Sequence, residues 1–188
     1  MNDSNQHRSY CAIGLCNPKS PSNVGSVLRA CGCFDADHIY YTGTRYDRAE
    51  PFYTDTANRQ KDIPLTKVED LPLSADDAPG IGKIETVCIE LCENAVPLLH
   101  FQHPDRAMYL FGPEDNSLSQ STIDAADHVV FIPANDCLNL SASVNVVLYD
   151  RSMKRSPSFN SEQYNDLVRN SRDCRNNLKV RILSLIHI

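Results

Sequence analysis

The 188 residues, 41% hydrophobic and 22% charged, match the length of one domain and can fill one core. No apolar run approaches the ~18 residues that span a bilayer, and Met1 to Arg8 is polar without a hydrophobic signal segment, which excludes secretion and membrane insertion as first readings and points to the cytoplasm. The eight cysteines then read as reduced thiols, and the formal net charge of −6 speaks against a polyanionic partner unless the charge is unevenly placed.

Strand and helix signals alternate, as expected of an α/β domain with a parallel sheet and helices on both faces. Tyr10 to Cys16 is an apolar run ending at Asn17-Pro18, which predicts a buried parallel strand. Ser20 before Pro21 has the form of an N-cap with proline at the first helical position, and Val24, Val27, Leu28 and Cys31 follow at helical spacing. Ser22, Ser26 and Arg29 share the opposite, polar face. His38 to Thr42 predicts a second strand, whereas the proline-rich stretch from Gly43 to Gly82 is expected to be irregular with short elements inside. Strands are predicted at Ile84 to Leu91, Ala107 to Phe111 and His128 to Ile132, with a short helix over Leu118 to Ala126. Leu140, Val144, Val147 and Leu148 form the apolar stripe of a last helix.

From Arg151 onward the charge changes sign. Eight basic residues face three acidic ones between Arg151 and Arg181, against 10 basic and 21 acidic before Arg151, so residues 151–182 read as a basic polar extension to a body at 1–150. Such an extension could bind a polyanion or be a solvated tail. The ending Leu183-Ser-Leu-Ile-His-Ile188 is what the transposon end CTGTCTCTTATACACATC encodes, so 183–188 is expected to be non-native read-through.

Three segments place polar residues directly after a strand, where open α/β sheets keep their ligand sites. They are Asn17 to Arg29 (containing Asn23-x-Gly25-x3-Arg29), Phe111-Gly112-Pro113-Glu114 to Ser119, and Ile132-Pro133 followed by Cys137-Leu138-Asn139-Leu140-Ser141. Each alone reads as a turn or a helix cap. In this order and spacing, with Phe101-x-His103-Pro104 before the second, the chain from Ala12 to Asp150 resembles the SpoU (TrmH) family of RNA ribose methyltransferases, within the SPOUT class.

The resemblance implies a parallel sheet whose C-terminal part forms a deep trefoil knot, a topology too rare to be inferred from periodicity. It implies S-adenosylmethionine held by Leu110, Phe111, Gly112, Ile132, Cys137 and Leu138, with Gly112 admitting a close main-chain approach. It also implies a homodimer with the active site completed between subunits, and assigns Asn23, Arg29, Glu114 and Asn139 to the catalytic machinery. Two departures stand out: Cys137 replaces the usual serine, exchanging a hydroxyl for a weak thiol donor, and the stretch from Pro133 to Cys137 is short and lacks Met-x-Gly.

The implied reaction moves a methyl group from a sulfonium to a ribose 2′-hydroxyl of tRNA or rRNA. A guanidinium is a fixed cation, so Arg29 suits holding a phosphate and stabilising the developing alkoxide better than removing a proton. Glu114 either fixes Arg29 or the substrate, or is an acid placed at a helix N-terminus. Alternatives are a non-catalytic knotted RNA-binding protein and methylation of a base nitrogen; retention of all four polar residues disfavours the first, and Asn23-x-Gly25-x3-Arg29 the second. With the first motif starting within the first twenty residues there is no room for a separate N-terminal RNA-binding domain, which favours tRNA. Cys31-x-Cys33 and Cys88-x3-Cys92 lack a second pair at zinc spacing, so no metal is expected. His100 and His103 could contact substrate or simply pack.

Overall fold

The structure is a computed structural model that describes residues 9–49, 63–73, 82–155 and 159–171. Its body carries β1 (Tyr10–Leu15), α1 (Pro21–Cys33), β2 (His38–Tyr41), α2 (Arg45–Ala49), β3 (Leu65–Lys67), β4 (Glu85–Ile89), β5 (Val96–Pro97), β6 (Arg106–Phe111), α3 (Gln120–Asp124), β7 (His128–Phe131) and α4 (Leu140–Arg155). The strands form one seven-stranded sheet in the order β3-β2-β1-β6-β4-β7-β5, and every recorded pairing is parallel.

Strand alternation decides which residues face which layer. Cys11, Ile13 and Leu15 of β1, with Ala107, Tyr109 and Phe111 of β6, join a core completed by Val24, Val27 and Leu28 of α1 and Val144, Val147 and Leu148 of α4. Ala12, Met108, Leu110 and Cys88 point the other way, into a smaller core closed by Leu71, Leu118 and, at its edge, Ile123 of α3. Helices therefore cover both faces, as expected, with the long pair on one and the short helix on the other. A burial pattern open on neither side is why the strands read as continuous apolar runs rather than as alternating ones.

The differences from the sequence reading have physical causes. Within the stretch expected to be irregular, α2 and β3 form, and residues 50–62 and 74–81 lie outside the described part. β5, with the 3-10 turn Leu98–His100 behind it, is too short to leave a periodic signature. The helix expected over Leu118 to Ala126 narrows to Gln120–Asp124, because the Ser119 side chain caps it by accepting from Thr122 N at 3.1 Å.

The body also does not stop at Asp150. Helix α4 runs to Arg155, and the chain divides into compact units at Ser156, so Arg151, Lys154 and Arg155 belong to the body and not to the extension. Arg151 is only 5% exposed. Its guanidinium donates to the carbonyls of Pro104, Asp105 and Tyr10, to Ser9 Oγ and to Tyr109 Oη, and lies over the Tyr109 ring. His103, whose side chain has no exposure, spans Tyr109 Oη at 2.6 Å and Asp150 Oδ2 at 2.8 Å. It is a packed histidine, whereas His100 is exposed. The second unit carries α5 (Ser161–Ser171), opened by Asn160 and Gln163 exchanging backbone-to-side-chain bonds, with Arg169 paired to Asp166. Arg172, Arg175, Lys179, Arg181 and all of 183–188 lie outside the described residues.

Two stability outcomes follow. Arg151→Met removes the donor to the Pro104 carbonyl and one donor each from Tyr10 O, Asp105 O and Tyr109 Oη, and should cost about 3 kcal/mol, seen as a fall in melting temperature on the order of 10 °C; an unchanged transition would show that the anchoring is dispensable. Burial holds the His103 pKa below its ordinary value, partly offset by Asp150. The folded state therefore binds this proton less readily than the unfolded chain, so stability is full above an unfolded pKa of about 6.5 and declines as pH falls through and below it. His38, lowered chiefly by burial, acts in the same window, so His103→Gln should reduce the acid-side slope of melting temperature without abolishing it.

Candidate active site

Because the strands are parallel, their C-terminal ends lie along one edge, and the loops leaving β1, β4, β6 and β7 meet there. Between them lies a cleft of about 440 Å³. Asn23 from α1, Phe111, Gly112 and Glu114 from the end of β6, Ile132 after β7, and Cys137, Leu138 and Asn139 before α4 all line it. The three segments singled out in the sequence are thus brought to one place. Leu110 and Arg29 are not part of the lining: Leu110 turns into the smaller core, one residue out of phase with Phe111, and Arg29 projects from the exposed face of α1.

Glu114 fastens the first segment to the second. Its Oε2 accepts from Lys19 N at 2.8 Å, and its Oε1 from Ser20 N at 2.9 Å and Asn23 Nδ2 at 3.2 Å. Ser20 stands at the N-cap as expected, but its own side chain makes no capping bond; a carboxylate from a distant strand takes the N-cap amide and the amide of Lys19 before it. Burial works against ionisation of Glu114, yet these donors prevail and hold its carboxyl below the ordinary range. Of the roles considered for it, the helix-terminal acid is the one this geometry displays, and Arg29 is not among its partners.

Gly112 is required by packing within its own loop. A Cβ there would stand 3.1 Å from Leu118 N and 3.3 Å from Asn116 O, tighter than ordinary contact and against backbone that cannot swing aside. The close approach displayed at this glycine is to the backbone of residues 116–118. Glu90, at the end of β4, holds that loop from the other side, accepting from Leu118 N at 2.8 Å while its second oxygen accepts from Leu91 N at 3.0 Å.

In the third segment Asn139 caps α4: its Oδ1 accepts from Ala142 N at 2.8 Å and Ser141 Oγ at 3.1 Å, leaving Nδ2 without a recorded partner among the described residues. The thiol of Cys137 is exposed, and its amide donates to Asp136 Oδ1 at 2.7 Å. Two large apolar side chains stand open in the cleft, Leu91 at 63% and Leu138 at 42% exposure. The charged residues lining it are Glu90, Glu114 and Asp136, with no lysine or arginine among the described lining. Cys31 and Cys33 lie at the end of α1, and Cys88 and Cys92 at the end of β4.

The sequence reading missed the β4 contribution. Ile89, Glu90 and Leu91 line the cleft, and the signal that could have found them is the one used for the other segments, a strand ending in a polar residue.

A model of the SpoU rRNA Methylase family matches residues 10–149. No individual curated protein sequence matches the chain. Among solved structures, the A. aeolicus TrmH/SpoU tRNA modifying enzyme superposes with a TM-score of 0.65 at 17% identity, covering 88% of this chain and 89% of that one. A structure described as giving insight into the 2-OH methylation of C/U34 on tRNA has a TM-score of 0.66 at 18% identity, covering 79% and 92%. The SpoU methyltransferase AviRb from Streptomyces viridochromogenes, in complex with AdoMet, has a TM-score of 0.64 at 19% identity, over 79% of this chain and 58% of that longer one. At such identities the structural likeness establishes the fold. The family match adds the sequence evidence, running from the first residue of β1 into α4 and taking in all three cleft-forming segments, and the chain belongs to the SpoU rRNA methylase family.

Proposed function

We propose that this chain is an RNA methyltransferase that transfers the methyl group of S-adenosylmethionine to a ribose 2′-hydroxyl, in tRNA rather than rRNA, and acts in the cytoplasm as a homodimer. The observation that carries the reading is the convergence of Asn23, Glu114 and Asn139 with the ends of β6 and β7 on one cleft. In the same reading the C-terminal part of the sheet is tied into a trefoil knot.

The lining suits S-adenosylmethionine in chemical kind. Leu91 and Leu138 offer uncovered apolar surface to a flat base, and a cationic sulfonium is at ease beside carboxylates and strand-end carbonyls. When bound, this cofactor supplies an electrophilic methyl group. Phe111, Gly112, Ile132, Cys137 and Leu138 would hold it, with Leu110 acting from the core beneath them. Asn139, its Oδ1 committed to the helix, has Nδ2 left to donate to a ligand.

An alcohol must lose its proton as it attacks, and Glu114 is ill placed for that work. Its oxygens are occupied by N–H donors, and a lowered pKa makes a weak base. Arg29 has no recorded partner among the described residues and carries a fork of donors suited to a phosphate and an incipient alkoxide together. Since it does not line the cleft of its own chain, it serves the cleft of a second copy. The surface beside it supports this: Val146, Tyr149 and Met153 are exposed along α4, and Tyr149 meets Phe34 at the end of α1 edge-on at 6.2 Å.

Incubation with methyl-labelled cofactor and total RNA, followed by nucleoside analysis, should yield a 2′-O-methylated nucleoside; a methylated base, or no labelled RNA, would overturn the assignment. Arg29→Ala should lower the single-turnover rate by about 10²-fold or more with cofactor affinity nearly intact, and Arg29→Lys should restore it only in part. A rate within a few-fold of the parent would remove Arg29 from the mechanism. Glu114→Gln places an amide against backbone N–H groups, so cofactor affinity by calorimetry should fall about tenfold; normal affinity would show that the loop holds its shape without the anion.

A further inference from the structure

The cleft is lined by carboxylates and, among its described residues, by no lysine or arginine, so a polyanionic substrate must find its cations at the rim. Next to Glu114, and between it and Asn116, both of which line the cleft, stands Asp115, half exposed. Two cations from separate elements converge on this one carboxylate. Arg45, the first residue of α2, donates to it through both terminal nitrogens at 2.9 and 3.1 Å, and Lys19, from the loop after β1, approaches within 3.6 Å. The Arg45 guanidinium holds the Asp115 carboxyl below its ordinary range, with burial opposing weakly and Lys19 adding to the effect.

A forked guanidinium closing on two oxygens, with an ammonium beside it, is the geometry in which these side chains take a phosphodiester. As a strut the arrangement is modest: ion pairs in contact with water contribute little, and the forked contact of Arg45 is the stronger of the two. Lys19 is 64% exposed and Arg45 28%, so a competing anion can reach the ammonium freely and the guanidinium at its open edge. Elsewhere in the body Lys67 pairs with Asp47 and Lys83 with Asp127, while another shared carboxylate, Asp150, joins Lys154 to the buried His103.

We infer that Lys19 and Arg45 form a phosphodiester-binding site for the substrate RNA at the rim of the cleft, and that Asp115 is an internal stand-in for that phosphate, displaced when RNA binds. The inference rests on the RNA reading above for its ligand. It makes Asp115 an antagonist of RNA binding although it touches the same cations, and this sets it apart from a structural ion pair, in which losing either partner does harm of the same sign.

The test uses the full chain, a fluorescein-labelled single-stranded RNA oligonucleotide of mixed sequence, and fluorescence anisotropy across a salt series. Arg45→Ala should weaken binding about tenfold and flatten the slope of log K against log salt by about one. Lys19→Ala should weaken it about threefold, and Asp115→Asn should tighten it by about the same factor. Cofactor affinity by calorimetry should stay within about twofold of the parent in all three variants, confirming that the cleft is intact. Weaker RNA binding by Asp115→Asn with the cofactor still bound, or unchanged binding by Arg45→Ala, would overturn the inference. Lys19→Ala, on an exposed side chain, keeps the question open to decision should the Asp115 variant fail to fold: unchanged affinity there also overturns it. Inorganic phosphate at constant ionic strength should compete poorly, and displacement of RNA by phosphate at equal concentration would mark a simple anion site instead. Failure of the parent to methylate RNA, with the opposite signs at Arg45 and Asp115 preserved, would sink the enzymatic reading while leaving this site standing.

Discussion

The site depends on one carboxylate. Glu114 leaves the end of β6 and closes on the entry to α1, accepting from the N-cap amide of Ser20, which the helix cannot bond internally, and from the amide of Lys19 before it. An anion in that position satisfies the helix end, and the helix end in turn fixes the loop that carries the anion. Through Asn23 the same group reaches into the cleft, so the first and second segments hold a common geometry rather than two independent ones. Pro21 contributes to this by removing a donor that would otherwise need a partner.

Around that tie the rest of the cleft is built mainly from backbone. Gly112 lies flat under residues 116–118, Glu90 pins the far side of the same loop, and Asn139 spends its carbonyl oxygen on α4. Several of the polar side chains here act on the main chain, while Leu91 and Leu138 stand open in the cavity. A site of this kind tolerates changes in its polar side chains where loop shape survives, which gives a physical reading of Cys137 in place of serine. The contribution of that residue to the loop is its amide bond to Asp136, which any side chain at 137 leaves in place.

How far the sequence revealed this varied with the kind of signal. The buried strands β1 and β6 are legible because a strand covered on both faces is apolar throughout, β7 from its short apolar run, and α1 because Ser20-Pro21 marks its start and a four-residue stripe its inner face. Strand parity was also legible but unused: Leu110 and Phe111 are neighbours and cannot share a face, so only one of them could line the cleft. Glu90 escaped notice because a single acidic residue at a strand end resembles any solvated terminus. Arg151 was read with the basic extension, since a charge run in sequence does not show which members turn inward. Five acceptors gathered from Ser9, Tyr10, Pro104, Asp105 and Tyr109 could be seen only after folding.

The charge pattern of the folded body has its own logic under the proposed chemistry. A sulfonium is cationic and loses its charge when the methyl group leaves, so carboxylates along the cleft favour the methyl donor over the spent cofactor and ease its release. RNA needs the opposite sign. Were lysine and arginine gathered inside the same cavity, they would repel the sulfonium and compete with it for the carboxylates that shape the loops. The fold avoids this conflict by separation: acids lie at the strand ends, Arg29 stands on the outer face of α1, and Lys19 and Arg45 meet at Asp115, one residue beyond Glu114. The net acidity of the body is then compatible with a polyanionic substrate, because what decides binding is where the few positive side chains stand and how easily their carboxylate partners give way.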